Sequence, residues 1–170
     1  MDRNKLILPG VIILIAVVII ITLSINFGDS TFETGNLYFQ YPNSWNNEQI
    51  IGTFDNNSLF SQVILTANIP NGASQKSYII IQMQKKSNGT FQLPGTNTIV
   101  MNTTNSTVGS TNVGNITATQ FATYVPSLAQ KVTIVDKANN YYIISFICPP
   151  NAANQTSKDY NSILATFKIQ

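Results

Sequence analysis

The side chains that could perform acid–base chemistry beyond the N-terminal segment are six scattered carboxylates: Asp29, Glu33, Glu48, Asp55, Asp136 and Asp159. Two carboxylates placed together in a cleft are what glycoside hydrolysis requires, but these six show neither pairing nor the spacing of a calcium loop. The chain has no histidine and a single cysteine, Cys148, which removes most zinc, haem and iron–sulfur sites together with Ser-His-Asp and Cys-His nucleophile systems. The sequence therefore predicts no catalytic residue, no metal site and no cofactor.

Charged residues are few in the chain beyond the N-terminal segment. From Gly28 onward there are seven lysines, six carboxylates and no arginine, a net charge of +1, so no basic patch for nucleic-acid binding is expected. Asn, Thr, Ser and Gln supply the surface polarity instead. Cys148 stands before two prolines at the end of an apolar run, and a lone cysteine there is typical of a small buried hydrophobe.

The N-terminus carries the pattern of a membrane segment. From Leu6 to Ile25 the chain is uncharged, and fifteen of these twenty positions are Leu, Ile or Val. A helix of this length reaches roughly 30 Å, the thickness of the hydrocarbon core of a bilayer. Arg3 and Lys5 precede the run, so the positive-inside rule places Met1 in the cytoplasm and the rest of the chain outside the cell membrane.

Two other fates of this segment stay open. A cleaved secretory signal needs a shorter apolar core and a small-x-small cleavage site, whereas the run here ends in Thr22-Leu23-Ser24-Ile25. A pilin-like precursor also joins a charged leader and an apolar helix to a β-rich head. The favoured division is a cytoplasmic tail at 1–5, a transmembrane anchor at 6–26, a tether at 27–36 and one extracytoplasmic domain at 37–170.

Apolar alternation and turn residues predict a series of strands in that domain. Pro42 ends the first of them and is followed by a turn that brings Trp45 to the core. The last strand is apolar on both faces, so both sides of its sheet need a cover. The predicted strands span 37–41, 63–67, 78–84, 132–135 and 141–148.

Two further segments have their own patterns. Tyr160, Ile163, Leu164 and Phe167 recur at helical spacing, with Thr156 or Ser157 as the N-cap of a C-terminal helix. In contrast, 22 of the 33 residues from Ser87 to Thr119 are Ser, Thr, Asn or Gly. This composition predicts either a long polar loop or a weak edge hairpin.

Three short motifs resemble the PsbP family. An aromatic strand leads into Pro42-Asn43-Ser44-Trp45, a Tyr-Tyr-Ile-Ile strand precedes an amphipathic helix that ends in Ala165-Thr166-Phe167, and Gly114 to Ala118 is similar to the Gly-x-x-Ala turn of the family. The nearest likeness is to membrane-anchored PsbP-related proteins of methanogenic archaea. The resemblance implies an α+β fold with an antiparallel sheet sandwiched by helices, and it implies structural roles for Pro42, Trp45 and Phe167.

Six Asn-x-Ser/Thr sequons occur in the predicted outer domain, and four of them cluster in the polar stretch. These four are candidate N-glycosylation sites: Asn88, Asn102, Asn105 and Asn115. Together, these observations favour a single-pass, membrane-anchored, non-catalytic binding or assembly module. Its expected partners are the lipid bilayer, through Leu6 to Ile25, and a membrane or envelope protein. The alternatives are a pilin-like structural subunit and, less favoured, an extracytoplasmic enzyme that uses carboxylates such as Asp136 or Asp159.

Overall fold

A computed structural model describes residues 29–69, 75–86 and 106–170. The predicted cytoplasmic tail and transmembrane anchor lie outside these ranges. Within them, no helix combines the length and the apolar character that a membrane crossing requires. The described residues form ten strands and one α-helix, and the helix lies near the C-terminus.

In the described ranges, nine strands come first, then the helix, and then one short last strand. A 3₁₀ turn at Pro150–Ala152 leads directly into the helix, α1. In chain order the elements are β1 (Asp29–Thr34), β2 (Leu37–Pro42), β3 (Trp45–Ile51), β4 (Phe60–Asn68), β5 (Lys76–Lys85), β6 (Ser106–Val113), β7 (Ile116–Val125), β8 (Leu128–Lys137), β9 (Asn140–Cys148), α1 (Ala153–Thr166) and β10 (Lys168–Ile169).

Seven strands form the main sheet, in the order β3-β4-β5-β9-β8-β7-β6, and every neighbouring pair is antiparallel. The central strand β9 is the one with two apolar faces: Tyr142, Ile144 and Phe146 join the main core, whereas Ile143 is buried on the opposite face. The strands predicted at 132–135 and 141–148 are confirmed, and they pair with each other as the β8–β9 hairpin. Part of the polar stretch also forms the predicted edge hairpin, because β6 pairs with β7 at the rim of the sheet.

A second layer covers one face of this sheet, which we call the inner face. It consists of α1 together with a small sheet of order β1-β2-β10. On β2 the alternating residues Leu37, Phe39 and Tyr41 are buried, as the sequence predicts. The resemblance implied helices on both faces. In the described ranges one helix is present, and it shares the inner layer with the small sheet, whose buried aromatic residues Phe32, Phe39 and Tyr41 extend the core.

The folded domain begins earlier than the sequence predicts. Strand β1 lies at Asp29–Thr34, within the range expected to be a tether. Its polar sequence contains one large apolar residue, Phe32, which stacks on Phe39 with ring centroids 4.9 Å apart. Because one aromatic residue among polar neighbours produces no visible alternation, this strand is apparent only from its pairing with β2.

The helix also begins earlier than predicted. It starts at Ala153 with Ala152 as its N-cap, and no side chain caps it. The prediction of Thr156 or Ser157 as the cap is wrong, since the Thr156 hydroxyl is buried and donates to the carbonyl of Ala152 at 2.8 Å, one turn back. The preceding 3₁₀ turn already sets the helical direction, so a side-chain cap is not needed to begin it.

Candidate functional site

The two carboxylates considered for catalysis are separated by the main sheet. Asp136 lies on the outer face of β8 and pairs with Lys86. Asp159 belongs to α1 on the inner face, where its Oδ2 accepts a hydrogen bond of 2.9 Å from Nε1 of the buried Trp45. The structure therefore does not bring them together in one cleft.

Two more carboxylates, Asp55 and Glu48, accept hydrogen bonds that stabilise the β3–β4 hairpin. Asp55 accepts hydrogen bonds from the Thr53 hydroxyl at 2.6 Å and from the backbone N–H groups of Asn57 and Ser58, and these bonds lower the pKa of its carboxyl. They order the loop between β3 and β4. Across the described residues, no group of three His, Cys, Asp or Glu side chains is placed to hold a metal ion.

Glu48 is tied to the sheet in a similar way. The Thr66 hydroxyl donates to its Oε1 at 2.5 Å, and Lys76 lies 3.6 Å away. The hydroxyl bond and then the lysine charge lower the pKa of the Glu48 carboxyl. These carboxylates thus hold turns and strands in place.

A chain of hydrogen bonds crosses the interior between α1 and the main sheet. The Tyr160 hydroxyl is fully buried and donates to the carbonyl of Ile144 at 3.2 Å, so the Thr133 hydroxyl, 2.6 Å away, is the donor to Tyr160. The amide of Gln120 donates in turn to Thr133 at 2.9 Å. Burial raises the pKa of Tyr160 well above its usual value, in spite of these partners.

This burial predicts a loss of stability at alkaline pH. Tyr142 is also buried and its pKa is raised, so both side chains hold their protons more tightly in the folded state than in the unfolded state. Their contribution to stability is fully present below the unfolded pKa near 10 and falls as the pH rises above it, by up to about 1.4 kcal/mol per pH unit for each tyrosine. In Tyr160→Phe we expect a shallower decline between pH 9.5 and 11, measured by urea unfolding, and parallel curves for the two proteins would contradict this assignment.

A cleft of about 450 Å³ opens beside α1 on the inner face. Its floor is formed by β6, β7 and β8, and its wall by the last turns of the helix. Lys131 is the single charged residue of this lining, which otherwise consists of amides, hydroxyls and small apolar groups. The lining residues are Thr111, Asn112, Gly114, Gln120, Lys131, Asn161, Leu164 and Ala165.

The β6–β7 turn closes one end of this cleft. Gly114 has a φ of +55° and donates its N–H to the carbonyl of Leu164 at 2.7 Å, which fixes the turn against the end of α1. Asn115, the candidate glycosylation site beside it, is exposed. The other three predicted sites, Asn88, Asn102 and Asn105, lie outside the described residues.

The three predicted structural residues are placed around the core. Pro42 ends β2, and three residues later Trp45 begins β3 with 2% of its surface exposed. Phe167 follows α1 and stacks on Phe39, with ring centroids 5.9 Å apart. Trp45 and Phe167 belong to the core that joins the two layers.

An exposed apolar cluster lies on β3 and at the start of β4, at the edge of the main sheet opposite the cleft. We call it the apolar corner and define it as Ile50, Ile51, Leu59 and Phe60, whose exposed fractions are 50%, 42%, 75% and 38%. The loop ordered by Asp55 joins the two halves of the cluster. Sequence reasoning missed this surface, although two pairs of large apolar residues that bracket a polar segment were a usable signal.

The chain is similar to known proteins in its fold. No protein-family model matches the chain, and no curated protein matches it. Among solved structures, the solution structure of cyanobacterial PsbP (CyanoP) from Synechocystis sp. PCC 6803 is similar at 11% identity and a TM-score of 0.50, over 84% of this chain and 92% of that chain. The domain has a PsbP-like fold.

Two other structures are similar to this PsbP-like domain. A crystal structure from Bacteroides thetaiotaomicron VPI-5482 matches at 13% identity and a TM-score of 0.50, over 82% of this chain. The match covers 48% of that chain, so the domain spans about half of the Bacteroides protein. The Ran-binding protein Mog1p of Saccharomyces cerevisiae matches at 10% identity and a TM-score of 0.49, over 84% of this chain and 96% of that chain.

Proposed function

We propose that this protein is a membrane-anchored, extracytoplasmic, non-catalytic binding or assembly module. In this proposal Leu6 to Ile25 crosses the cell membrane, the N-terminus is cytoplasmic and the PsbP-like domain stands outside, where the apolar corner binds a protein of the membrane or envelope. The roles of the carboxylates support a binding function: Asp55, Asp159, Glu48 and Asp136 all have structural partners.

The apolar corner is the observation that carries the proposal. Four large apolar side chains, all more than a third exposed, lie within eleven residues of sequence and at the end of two paired strands. Ile51 pairs opposite Gln62, two residues from Phe60 on the same strand, so the two apolar side chains are diagonal neighbours on one face of the sheet. Ile50 pairs opposite the buried Val63, so its side chain lies on the other face of the same sheet edge. Exposed apolar residues grouped in this way are typical of interaction sites.

The position of the corner favours a protein partner over the protein's own bilayer. The described chain begins at Asp29, which pairs with Pro42 at the end of the domain where β3 starts. The corner lies at the other end of β3, seven residues or about 20 Å further along. A domain tethered through Asp29 would therefore present the corner away from the lipid.

The interface is tested by site-specific photo-crosslinking of the full chain in its native membranes. A photoreactive residue at Leu59 is expected to give one discrete protein adduct, whereas the same residue at the exposed Gln155 near the start of α1 gives none. Ile51→Asp is expected to remove the adduct because it buries a charge in an apolar interface. The melting temperature, followed by Trp45 fluorescence, is expected to stay within about 2 °C of that of the original protein, as is typical of an exposed position.

Identical adducts from Leu59 and Gln155, or a lipid adduct from Leu59, would contradict the interface. The membrane topology and the glycans have their own test, the N-terminal sequence and intact mass of the protein extracted from membranes. The proposal expects an uncleaved N-terminus and excess mass from glycans at Asn88, Asn102, Asn105 or Asn115. A new N-terminus within the first ten residues would favour the pilin-like alternative.

A further inference from the structure

The two edges of the main sheet differ in their protection. At the β3 edge, the register shifts between Asn47 and Gln49, and Glu48 beside this bulge pairs with Lys76. Bulges and charges are the devices that stop an edge strand from pairing with another chain. The β6 edge has neither, because Ser106–Val113 contains no charge and no proline and pairs with β7 in continuous register.

The unpaired backbone groups of β6 can be identified from the turn that follows. A two-residue connection joins β6 to β7, so the flanking pair Val113 and Ile116 exchanges both of its backbone hydrogen bonds. Along an antiparallel ladder, hydrogen-bonded pairs alternate with pairs that do not exchange hydrogen bonds. The backbone N–H and C=O groups of Asn112, Ser110 and Val108 therefore point away from β7. Within the described ranges, no strand pairs with this side of β6, and the side chain of Val108 is 69% exposed.

Gly109 marks the same edge. A Cβ built at Gly109 meets no atom within 4 Å, and its φ is not positive, so nothing in the described domain requires a glycine there. A glycine within a strand often marks a site where another backbone approaches closely. Gly109 pairs with Gln120, and Gln120 lines the cleft beside α1.

The open edge is continuous with that cleft. Thr107, Gly109 and Thr111 share the inner face of β6, and Thr111 is part of the cleft lining. Thr107 pairs with Ala122 on β7, and Ala122 pairs with Lys131 on β8. The small side chain of Ala122 is therefore the one residue between Thr107 and Lys131 across the sheet. Affinity from main-chain hydrogen bonds at an edge, with specificity from an adjacent pocket, is how domains that bind peptides by strand addition work.

We propose that β6 accepts an extended peptide segment of a partner protein as an eighth strand, with a glutamate of that segment in the cleft opposite Lys131. Three strand spacings, about 14 Å, separate β8 from the added strand, so a long acidic side chain is needed to meet the lysine. A second copy of β6 would offer only Thr, Gly and Val on this face, and none of them is acidic. The segment 87–105, which precedes β6 in the chain, contains no acidic residue.

The test is a selection of random twelve-residue peptides, displayed on phage, against the full chain in detergent micelles. Enriched peptides are expected to be β-prone and to share one acidic position. Their affinity is expected to fall at least tenfold in Val108→Pro and, separately, in Ser110→Pro. Each proline removes one outward N–H and leaves the β6–β7 hydrogen bonds in place. Val108→Ala and Ser110→Ala are the matched controls, because they change the same side chains and keep the N–H groups.

The variant Lys131→Glu tests the contribution of the cleft to peptide binding separately from that of the β6 edge. It is expected to weaken the acidic peptides at least tenfold and to strengthen peptides in which lysine replaces the shared acid. Equal binding to the proline and alanine variants, or no enrichment of any peptide, would overturn the proposal. A dimer in analytical ultracentrifugation that the proline variants dissociate would assign the edge to a second copy instead. Crosslinking at the apolar corner is a separate readout, so each surface can fail by itself.

Discussion

Gly114→Ala is expected to destabilise the domain by about 3 kcal/mol or more and to lower its melting temperature by about 10 °C. A Cβ at this position would lie 2.2 Å from the carbonyl oxygen of Phe167, and the φ of +55° is unfavourable for any residue with a side chain. Relief requires the β6–β7 turn to move away from α1, which breaks the hydrogen bond from Gly114 to Leu164. Urea unfolding followed by the fluorescence of Trp45, the single tryptophan, measures the loss.

Gly109→Ala is the matched control for this variant. It lies on the strand that leads into the same turn, but a Cβ there enters open space. We expect it to be neutral or to stabilise the domain by up to about 1 kcal/mol, because alanine restricts the unfolded chain. Equal midpoints for the two variants would show that the contact between the turn and the helix does not stabilise the domain.

Phe167→Ala is expected to cost about 3–5 kcal/mol, as is typical when a buried aromatic side chain is removed. Phe167 is 2% exposed, stacks on Phe39 and meets the edge of Tyr142 with ring centroids 6.4 Å apart. It lies where α1, the small sheet and the main sheet meet. Its loss therefore leaves a cavity shared by both layers, and thermal unfolding of the full chain in detergent micelles measures the cost.

Leu59→Ala is the control for the aromatic deletion. Leu59 is similarly large and apolar but is 75% exposed, so its truncation is expected to change stability by less than about 0.5 kcal/mol. It should instead weaken the crosslink from the apolar corner. A Phe167→Ala protein with the melting temperature of the Leu59→Ala protein would mean that the two layers do not depend on this side chain.

The two proposed surfaces suit an assembly role in different ways. The apolar corner offers exposed hydrophobic area at the end of the domain that lies away from Asp29. The β6 edge and its cleft offer backbone hydrogen bonds and one positive charge. One surface is at each edge of the main sheet, so a single domain could join two partners without competition between them.

Much of the fold was predictable because it depends on local periodicity. Alternation on β2 and the two apolar faces of β9 predicted strands and a covered sheet, and the spacing of Tyr160, Ile163 and Leu164 predicted the helix stripe. The burial of Trp45 after the proline turn followed from the same kind of evidence. The exclusion of histidine-based chemistry needed only the composition.

Non-local pairing decided the rest. Strand β1 has one large apolar residue, and the bulge near Glu48 interrupts any alternation in β3, so neither strand is visible without its partner. The sequence shows that Leu59 and Phe60 are apolar, but only the tertiary structure determines that they stay 75% and 38% exposed. Lys131 gains its place in a cleft because α1 packs over the sheet, and the lining of that cleft includes Lys131 and Asn161, which are 30 positions apart in the chain. Local patterns determine which residues seek burial, whereas the packing of distant elements determines which of them remain exposed to bind a partner.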